Sequence, residues 1–209
     1  GLPLDPRWRE QRGAAGHLLY AELADLRLGP GAVVTDPARV RDAFDRLQAF
    51  KARTLLERMA GPGAEPPARG APEAATLASL QAGVLRPGEL LLDSYLGPDD
   101  SFLFAVTPDQ ARAARLPGEA GLAERVRLYH GLLAAPPPAG AAPRGDAVAT
   151  AGAALAGDLL GAAADLLAQA SRVVVSPDGA LNLLPFGELP LGEPRLGDAA
   201  DASGPAGAA

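Results

Sequence analysis

The side chains that most often carry catalysis are nearly absent from this chain. It contains no cysteine and only two histidines, His17 and His130, among 209 residues. Thiol chemistry requires a cysteine and is therefore excluded for these residues. A zinc site would need carboxylates for most of its ligands, and the carboxylates here follow no recognisable ligand spacing. We therefore predict no catalytic, cofactor-binding or metal-binding residue in this chain.

Other residues of reactive type stand in contexts that favour structural roles. Ser176 follows an apolar run but lacks the Gly-x-Ser-x-Gly pattern of a nucleophilic serine. Asp178 is interpreted as a turn aspartate whose carboxylate accepts hydrogen bonds from nearby backbone N–H groups. The pair Asp99-Asp100 is predicted at a hairpin tip, where charged side chains are solvated. The glycines at 29–31 and 157–161 do not continue into the Gly-Lys-Ser/Thr of a phosphate-binding loop.

Charge and hydropathy exclude two classes of partner. The net charge is −6, Lys51 is the only lysine, and the arginines are scattered among acidic residues. Nucleic-acid binding needs clustered cations, so we predict no nucleic-acid partner. No apolar run approaches the roughly 20 residues of a membrane span, so we predict no membrane partner and a soluble, cytoplasmic protein. The abundance of Arg, Ala, Gly and Pro, which have GC-rich codons, suggests a bacterial source.

Residues 1–63 are predicted to form a helical hairpin. Apolar residues recur at helical spacing from Pro6 to about Leu28. Asp36 stands before Pro37 and is typical of a helix start, from which the second helix reaches about Ala60. Two helices cannot bury their apolar faces by themselves, so we interpret the hairpin as the end of a helical-repeat array.

Residues 73–191 carry mixed α and β signals and predict an α/β fold. Residues 64–72 are rich in Pro and Gly and are predicted to be a linker, and residues 192–209 are predicted to be a disordered tail. Two apolar runs around Gly97–Asp100 predict a β-hairpin, and the β-branched run Arg172–Ser176 predicts a buried strand. The remaining predicted elements are helices from Glu73 to about Ala82, from Gly118 to Ala134 and from Ala147 to Ala170.

The order of these elements resembles a known family. Residues 173–189 read Val-Val-Val-Ser-Pro-Asp-Gly-Ala-Leu-Asn-Leu-Leu-Pro-Phe-Gly-Glu-Leu. They follow the hairpin at 90–107 and the short helix with Leu77 and Leu80, and residues 50–56 look like a last repeat helix leading in. Together they resemble the amino-terminal half of a CHAT domain, a caspase-like family often attached to tetratricopeptide repeats (TPR).

The resemblance implies a cysteine peptidase in which a histidine activates a cysteine thiolate. In the family both residues lie after the Leu-Pro-Phe segment, and this sequence ends before them. His130-Gly131 superficially matches the family's His-Gly pair, but it precedes the Pro-Asp-Gly turn and lies in a predicted helix. We interpret His130 as a partly buried or surface helix residue, so no catalytic residue is carried over.

Two main functions follow as expectations. The chain begins at Gly1 without a Met, so we expect it to begin inside a longer protein, with the rest of the CHAT domain downstream. It would then be the non-catalytic part of a cysteine endopeptidase, with protein partners bound through the helical region and a sheet edge left unpaired. The alternative is a non-enzymatic interaction scaffold or a degenerate protease-like domain. A third possibility, an unrelated α/β binding domain, would be favoured by a sheet of only parallel strands without the hairpin.

Overall fold

The computed structural model describes residues 6–60, 74–134 and 145–190, with the side chains of 16–56 in the first range. Within these ranges the chain forms six α-helices, five strands and three short 3₁₀ turns. The helices are α1 (Pro6–Leu28), α2 (Pro37–Ala60), α3 (Leu77–Gly83), α4 (Glu119–Ala134), α5 (Gly145–Leu160) and α6 (Ala164–Gln169). The strands are β1 (Val33–Val34), β2 (Glu89–Tyr95), β3 (Asp100–Val106), β4 (Ala111–Pro117) and β5 (Arg172–Ser176). The 3₁₀ turns are Gly161–Ala163, Gly179–Leu183 and Phe186–Glu188.

The strands form one mixed sheet in the order β1-β4-β3-β2-β5. Strands β2, β3 and β4 make an antiparallel meander, in which Leu92 pairs with Ala105 and Phe104 pairs with Ala113. Strand β5 lies parallel to β2, with Val174 beside Leu91. The α/β class and the predicted hairpin are therefore confirmed, and the sheet is not purely parallel.

Helices cover both faces of the sheet. On one face, Phe102 and Phe104 of β3 share a core with α1, α2 and α3, where Phe44 meets the ring of Phe104 edge-on at 5.4 Å. On the other face, Leu92 and Leu103 share a core with α4, α5 and α6. Alternate residues of each strand point to opposite faces, so one strand feeds both cores. The helical hairpin and the sheet thus share a core in the described part of the chain.

Local signals explain where several helices begin. The Asp36 carboxylate accepts hydrogen bonds from the backbone N–H groups of Ala38 and Arg39 at 2.9 and 3.0 Å, as expected for a helix cap. Thr76 and Ser79 form a reciprocal capping box at the start of α3. Helix α3 begins at Leu77, four residues after the predicted start. The predicted first residue, Glu73, lies outside the described residues. The linker 64–72 and the tail 192–209 lie outside them too.

Strand β5 is exposed, so the prediction that this run is a buried strand is wrong for the described residues. Val173 and Val174 are 40% and 37% exposed although they point to opposite faces. The physical reason is position: β5 is the last strand in the sheet order and has a neighbour on one side only. Its composition matches a strand covered on every side, but the described elements cover it only in part.

Two strands were not predicted. Strand β4 consists largely of Ala and Arg, and β1 has only two residues. The long predicted helix Ala147–Ala170 is interrupted by the 3₁₀ turn Gly161–Ala163.

One described helical stretch, Gly145–Gln169, is long and apolar enough to cross a membrane by length and composition alone. The sequence analysis predicted no apolar segment of this length, and that prediction is wrong for the described residues. Leu155, Leu159 and Leu166 of this stretch are buried in the core beneath the sheet. Core burial accounts for only part of its apolar character, since 33% of the apolar window is buried. The structure is consistent with a soluble protein.

Candidate functional site

Polar side chains meet at the carboxyl ends of β2 and β5. In sheets with parallel strands, binding and catalytic groups often lie at this end. Strand β2 contributes Asp93, Ser94 and Tyr95, and the turn after β5 contributes Asp178. The parallel register places Asp93 beside Ser176, so the two strands end together. We call these side chains, together with Gln48 and Lys51 of α2 and His17 of α1, the strand-end cluster.

Lys51 connects α2 to this cluster. Its ammonium group lies 2.9 Å from the Asp93 carboxylate and donates a second hydrogen bond to the Ser94 carbonyl at 2.8 Å. Gln48 donates to the other Asp93 oxygen at 2.6 Å. The Asp93 side chain is only 4% exposed. A buried carboxylate requires such partners, because its desolvation is otherwise uncompensated.

Asp178 holds the turn after β5. Its two carboxylate oxygens accept from the backbone N–H groups of Leu96 at 3.0 Å and Gly179 at 2.9 Å. Its own N–H donates to the Ser94 hydroxyl at 2.9 Å, and that hydroxyl donates to the Ser176 carbonyl at 3.2 Å. The interpretation of Asp178 as a turn aspartate is confirmed. Gly179 has φ +48°, a conformation that glycine adopts without strain.

His17 joins α1 to the same turn. Its Nε2 atom lies 3.6 Å from an Asp178 oxygen, beyond normal hydrogen-bond length. Its ring stacks on Tyr95 with centroids 4.5 Å apart, and the Tyr95 hydroxyl donates to the His17 carbonyl at 2.8 Å. The sequence placed His17 and Asp178 in separate regions and gave no signal for this contact.

The cluster shifts the acidity of two of its members. Burial by itself would raise the pKa of Asp178, but the His17 imidazole, the Leu96 N–H and the nearby Lys51 charge hold it below its ordinary value. Burial raises the pKa of Tyr95 well above its usual range, and the negative charge of Asp178 adds to this effect. Asp178 is therefore ionised and Tyr95 neutral at neutral pH.

The strand-end cluster has the features of a structural network. The Ser94 hydroxyl both donates to and accepts from the backbone, which leaves it poorly suited to act as a nucleophile. In the described ranges, no buried side-chain nitrogen or oxygen lacks a hydrogen-bond partner, and no group of three or more possible metal ligands occurs. The cluster therefore ties the helical layer to the ends of two strands.

The acidity of Asp178 makes stability depend on pH in a defined window. A carboxyl group whose pKa is lower in the folded state stabilises above the unfolded pKa of about 3.9 and loses this effect as pH falls through the folded value. We expect Asp178→Asn to be less stable than wild type at pH 6, and we expect the gap to shrink below about pH 4. Urea unfolding at a series of pH values measures the difference in unfolding free energy between the two proteins.

Asp99→Asn is the matched control for this prediction, because Asp99 is exposed and forms no ion pair with described residues. Its unfolding free energy should parallel that of wild type throughout the acid range. A gap between wild type and Asp178→Asn that stays constant down to pH 3 would contradict the assignment.

The remaining sequence candidates lie apart from this cluster. His130 is exposed on α4, as predicted, and lines a shallow groove of about 500 Å³ with Leu183 and Glu188. Asp100 begins β3 and forms an ion pair with Arg115 at 3.2 Å. The glycines at 29–31 follow α1. Gly157 lies near the end of α5 and Gly161 begins the next 3₁₀ turn, so neither set opens a helix after a strand.

Comparison of the chain with protein-family models, with curated proteins and with solved structures finds no match.

Proposed function

We propose that this chain is the non-catalytic amino-terminal portion of a CHAT-type, caspase-like cysteine peptidase. In this proposal the protein is cytoplasmic and bacterial, and the helical hairpin α1–α2 is the end of a TPR-like array that binds protein partners. The catalytic histidine and cysteine belong to the rest of the domain, downstream of residue 209.

Strand β5 is the single observation that carries this proposal. A parallel strand with valines on both faces is typical of the interior of a larger α/β sheet, where both faces are covered. In folded proteins, an edge strand is normally covered by another element or carries charged side chains. The β5 edge strand carries one exposed charge, Arg172, at its start and is otherwise Val-rich, with Val173 and Val174 exposed. In the proposal, a further strand from the rest of the domain pairs with this edge and lowers the exposure of both valines.

The segment after β5 supports the same proposal. The chain leaves the strand through the Asp178 turn and then returns to the core through Leu181, Leu184 and Leu189, which are all buried. These positions lie in the segment 173–189 on which the resemblance to the CHAT family rests. In the proposal, this stretch leads into the half of the domain that carries the dyad.

The test of the proposal uses the full-length parent protein. The gene should continue in frame to one strand that ends in His-Gly and another that ends in Cys. Purified parent should cleave a peptide substrate, and substitution of that cysteine by alanine should abolish cleavage. A parent without the dyad, or one whose activity survives the substitution, would refute the peptidase assignment.

A non-enzymatic scaffold is the second candidate. Its support is that the strand-end cluster, at the edge where α/β enzymes usually place reactive groups, has no buried side-chain nitrogen or oxygen without a hydrogen-bond partner among the described residues. An inactive parent that still binds its protein partners would favour the scaffold over the peptidase.

The free β5 edge yields a prediction for the chain produced by itself. We expect it to self-associate through β5, because unpaired Val-rich edges accept further strands. Val174→Lys places a charge on this edge and should raise the apparent dissociation constant by about tenfold or more. Sedimentation velocity at increasing protein concentration measures the change.

Val33→Lys tests whether the effect belongs to β5. Val33 is 45% exposed on β1, the two-residue strand at the opposite edge. This variant should associate like wild type. Equal effects of both substitutions would indicate a general influence of charge and would contradict a role for the β5 edge.

A further inference from the structure

The outward side of α1 is unusually apolar for an exposed helix. Leu19 and Leu26 are 61% and 76% exposed, Leu18 is 41% exposed, and Leu23 is half-buried. Leu19, Leu23 and Leu26 have the spacing i, i+4, i+7, which places them in one stripe along the helix. We call Leu18, Leu19, Leu23 and Leu26 the outer α1 face. Among the described residues, Leu18 and Leu23 are partly covered, whereas Leu19 and Leu26 remain largely exposed.

Acidic side chains border this face. Glu22 lies within it by helical spacing, and a pocket of about 180 Å³ beside Leu18 is lined by Glu22, Asp25, Asp99 and Asp100. Arg115 forms ion pairs with Asp25 and Asp100. Glu22 and Asp99 form no ion pair with any residue the structure describes. On the opposite side of the face Arg27 is paired with Asp42 at 3.2 Å. The border on the Leu18 side therefore carries more carboxylates than the Arg115 guanidinium can neutralise.

We propose that the outer α1 face binds an amphipathic helix of a partner protein, whose leucine-type side chains are flanked by lysine or arginine. The apolar stripe matches a helix with apolar residues at i, i+3 or i+4 and i+7, which is a common mode of helix recognition. The acidic border matches cations beside that stripe and would speed association. This inference rests on the partner-binding part of the proposed function and names the chemistry of the partner.

The same charges disfavour the other occupants. A second copy of the chain would bring one acidic border against another, and each copy carries a net charge of −6. An anionic lipid surface or a nucleic acid would be repelled for the same reason. The complementary partner is a basic helix.

The test is a titration of this chain with an 18-residue helical peptide of leucine and lysine in amphipathic order, followed by fluorescence anisotropy. We expect saturable binding that weakens at higher salt, and no binding of the analogue with glutamate in place of lysine. Leu19→Ser combined with Leu26→Ser should weaken binding by about tenfold or more, and Glu22→Lys by about fivefold. All these positions are exposed, so circular dichroism should be unchanged.

Matched controls use the same substitutions elsewhere on the surface. Leu55, 58% exposed on α2, is replaced by serine, and Glu124, exposed on α4, is replaced by lysine. Both variants should bind like wild type. The proposal is overturned if the peptide does not bind, if the controls weaken binding as much as the α1 variants, or if the α1 substitutions instead abolish self-association. The readout is binding to this chain, so it is independent of peptidase activity in the parent.

Discussion

Replacing Lys51 with methionine is expected to lower the free energy of unfolding by about 3–5 kcal/mol, the usual cost of leaving a buried charge without its partner. The Asp93 carboxylate is 4% exposed and would keep only the Gln48 amide as a side-chain partner. The substitution also removes the hydrogen bond to the Ser94 carbonyl. Urea unfolding followed by circular dichroism measures the loss.

Two further variants test the cause. Arg46→Met removes a half-exposed ion pair to Asp42 on α2, and exposed pairs contribute about 0–1 kcal/mol, so its effect should be small. Asp93→Asn added to Lys51→Met should cost much less than the same substitution in wild type, since the stranded charge is then gone. Additive losses in the double variant would show that Lys51 and Asp93 do not interact energetically.

Replacing Gly97 with alanine is expected to cost about 3 kcal/mol or more, because the new methyl group has no room. A Cβ atom at this position would lie 2.3 Å from the Asp100 carbonyl oxygen and 2.9 Å from the Ala21 side chain. The first neighbour is backbone and cannot rotate away, so the β2–β3 connection or helix α1 must move. Thermal and urea unfolding measure the loss.

Gly131→Ala is the matched control, because a Cβ atom there meets nothing within 4 Å. Gly131 lies inside α4, where alanine is the better helix former by about 0.5–1 kcal/mol, so this variant should be slightly more stable than wild type. If Gly97→Ala were as stable as wild type, the close packing of α1 on the β2–β3 connection would be wrong.

The elements predicted well from sequence are those with strong local signals. Asp36 and Pro37 mark the start of α2, and the structure begins the helix there. The hairpin β2–β3 has two apolar runs around a turn cluster, and both strands are present. In these segments the side chains that determine the structure are neighbours along the chain.

Strand β4 was missed because its stabilising contacts are distant. Arg112 makes a bidentate contact with Asp165 on α6, and Arg115 pairs with Asp25 on α1. Without these partners, a run of alanine and arginine favours a helix or a loop by local propensity. The burial of β5 was overestimated for a related reason, since composition does not show whether a neighbouring strand is present.

The strand-end cluster could likewise not be predicted from local sequence patterns. His17 and Asp178 come from opposite ends of the described chain, and Lys51 meets Asp93 across 42 residues. Sequence reasoning did identify the role of Asp178 as a turn residue, because the adjacent proline and glycine are local. It gave no signal for the histidine that lies beside it.

The pairing of β5 with β2 has a consequence for the order of folding. Arg172 meets Glu89 across 83 residues, whereas β2, β3 and β4 pair through short connections. Closing a longer loop costs more chain entropy, so the β2–β3–β4 meander should form before β5 docks. During synthesis the three strands of the meander are available well before Arg172 leaves the ribosome. We therefore expect β5 to be the last described strand to join the sheet, with its open edge exposed only at the end of folding.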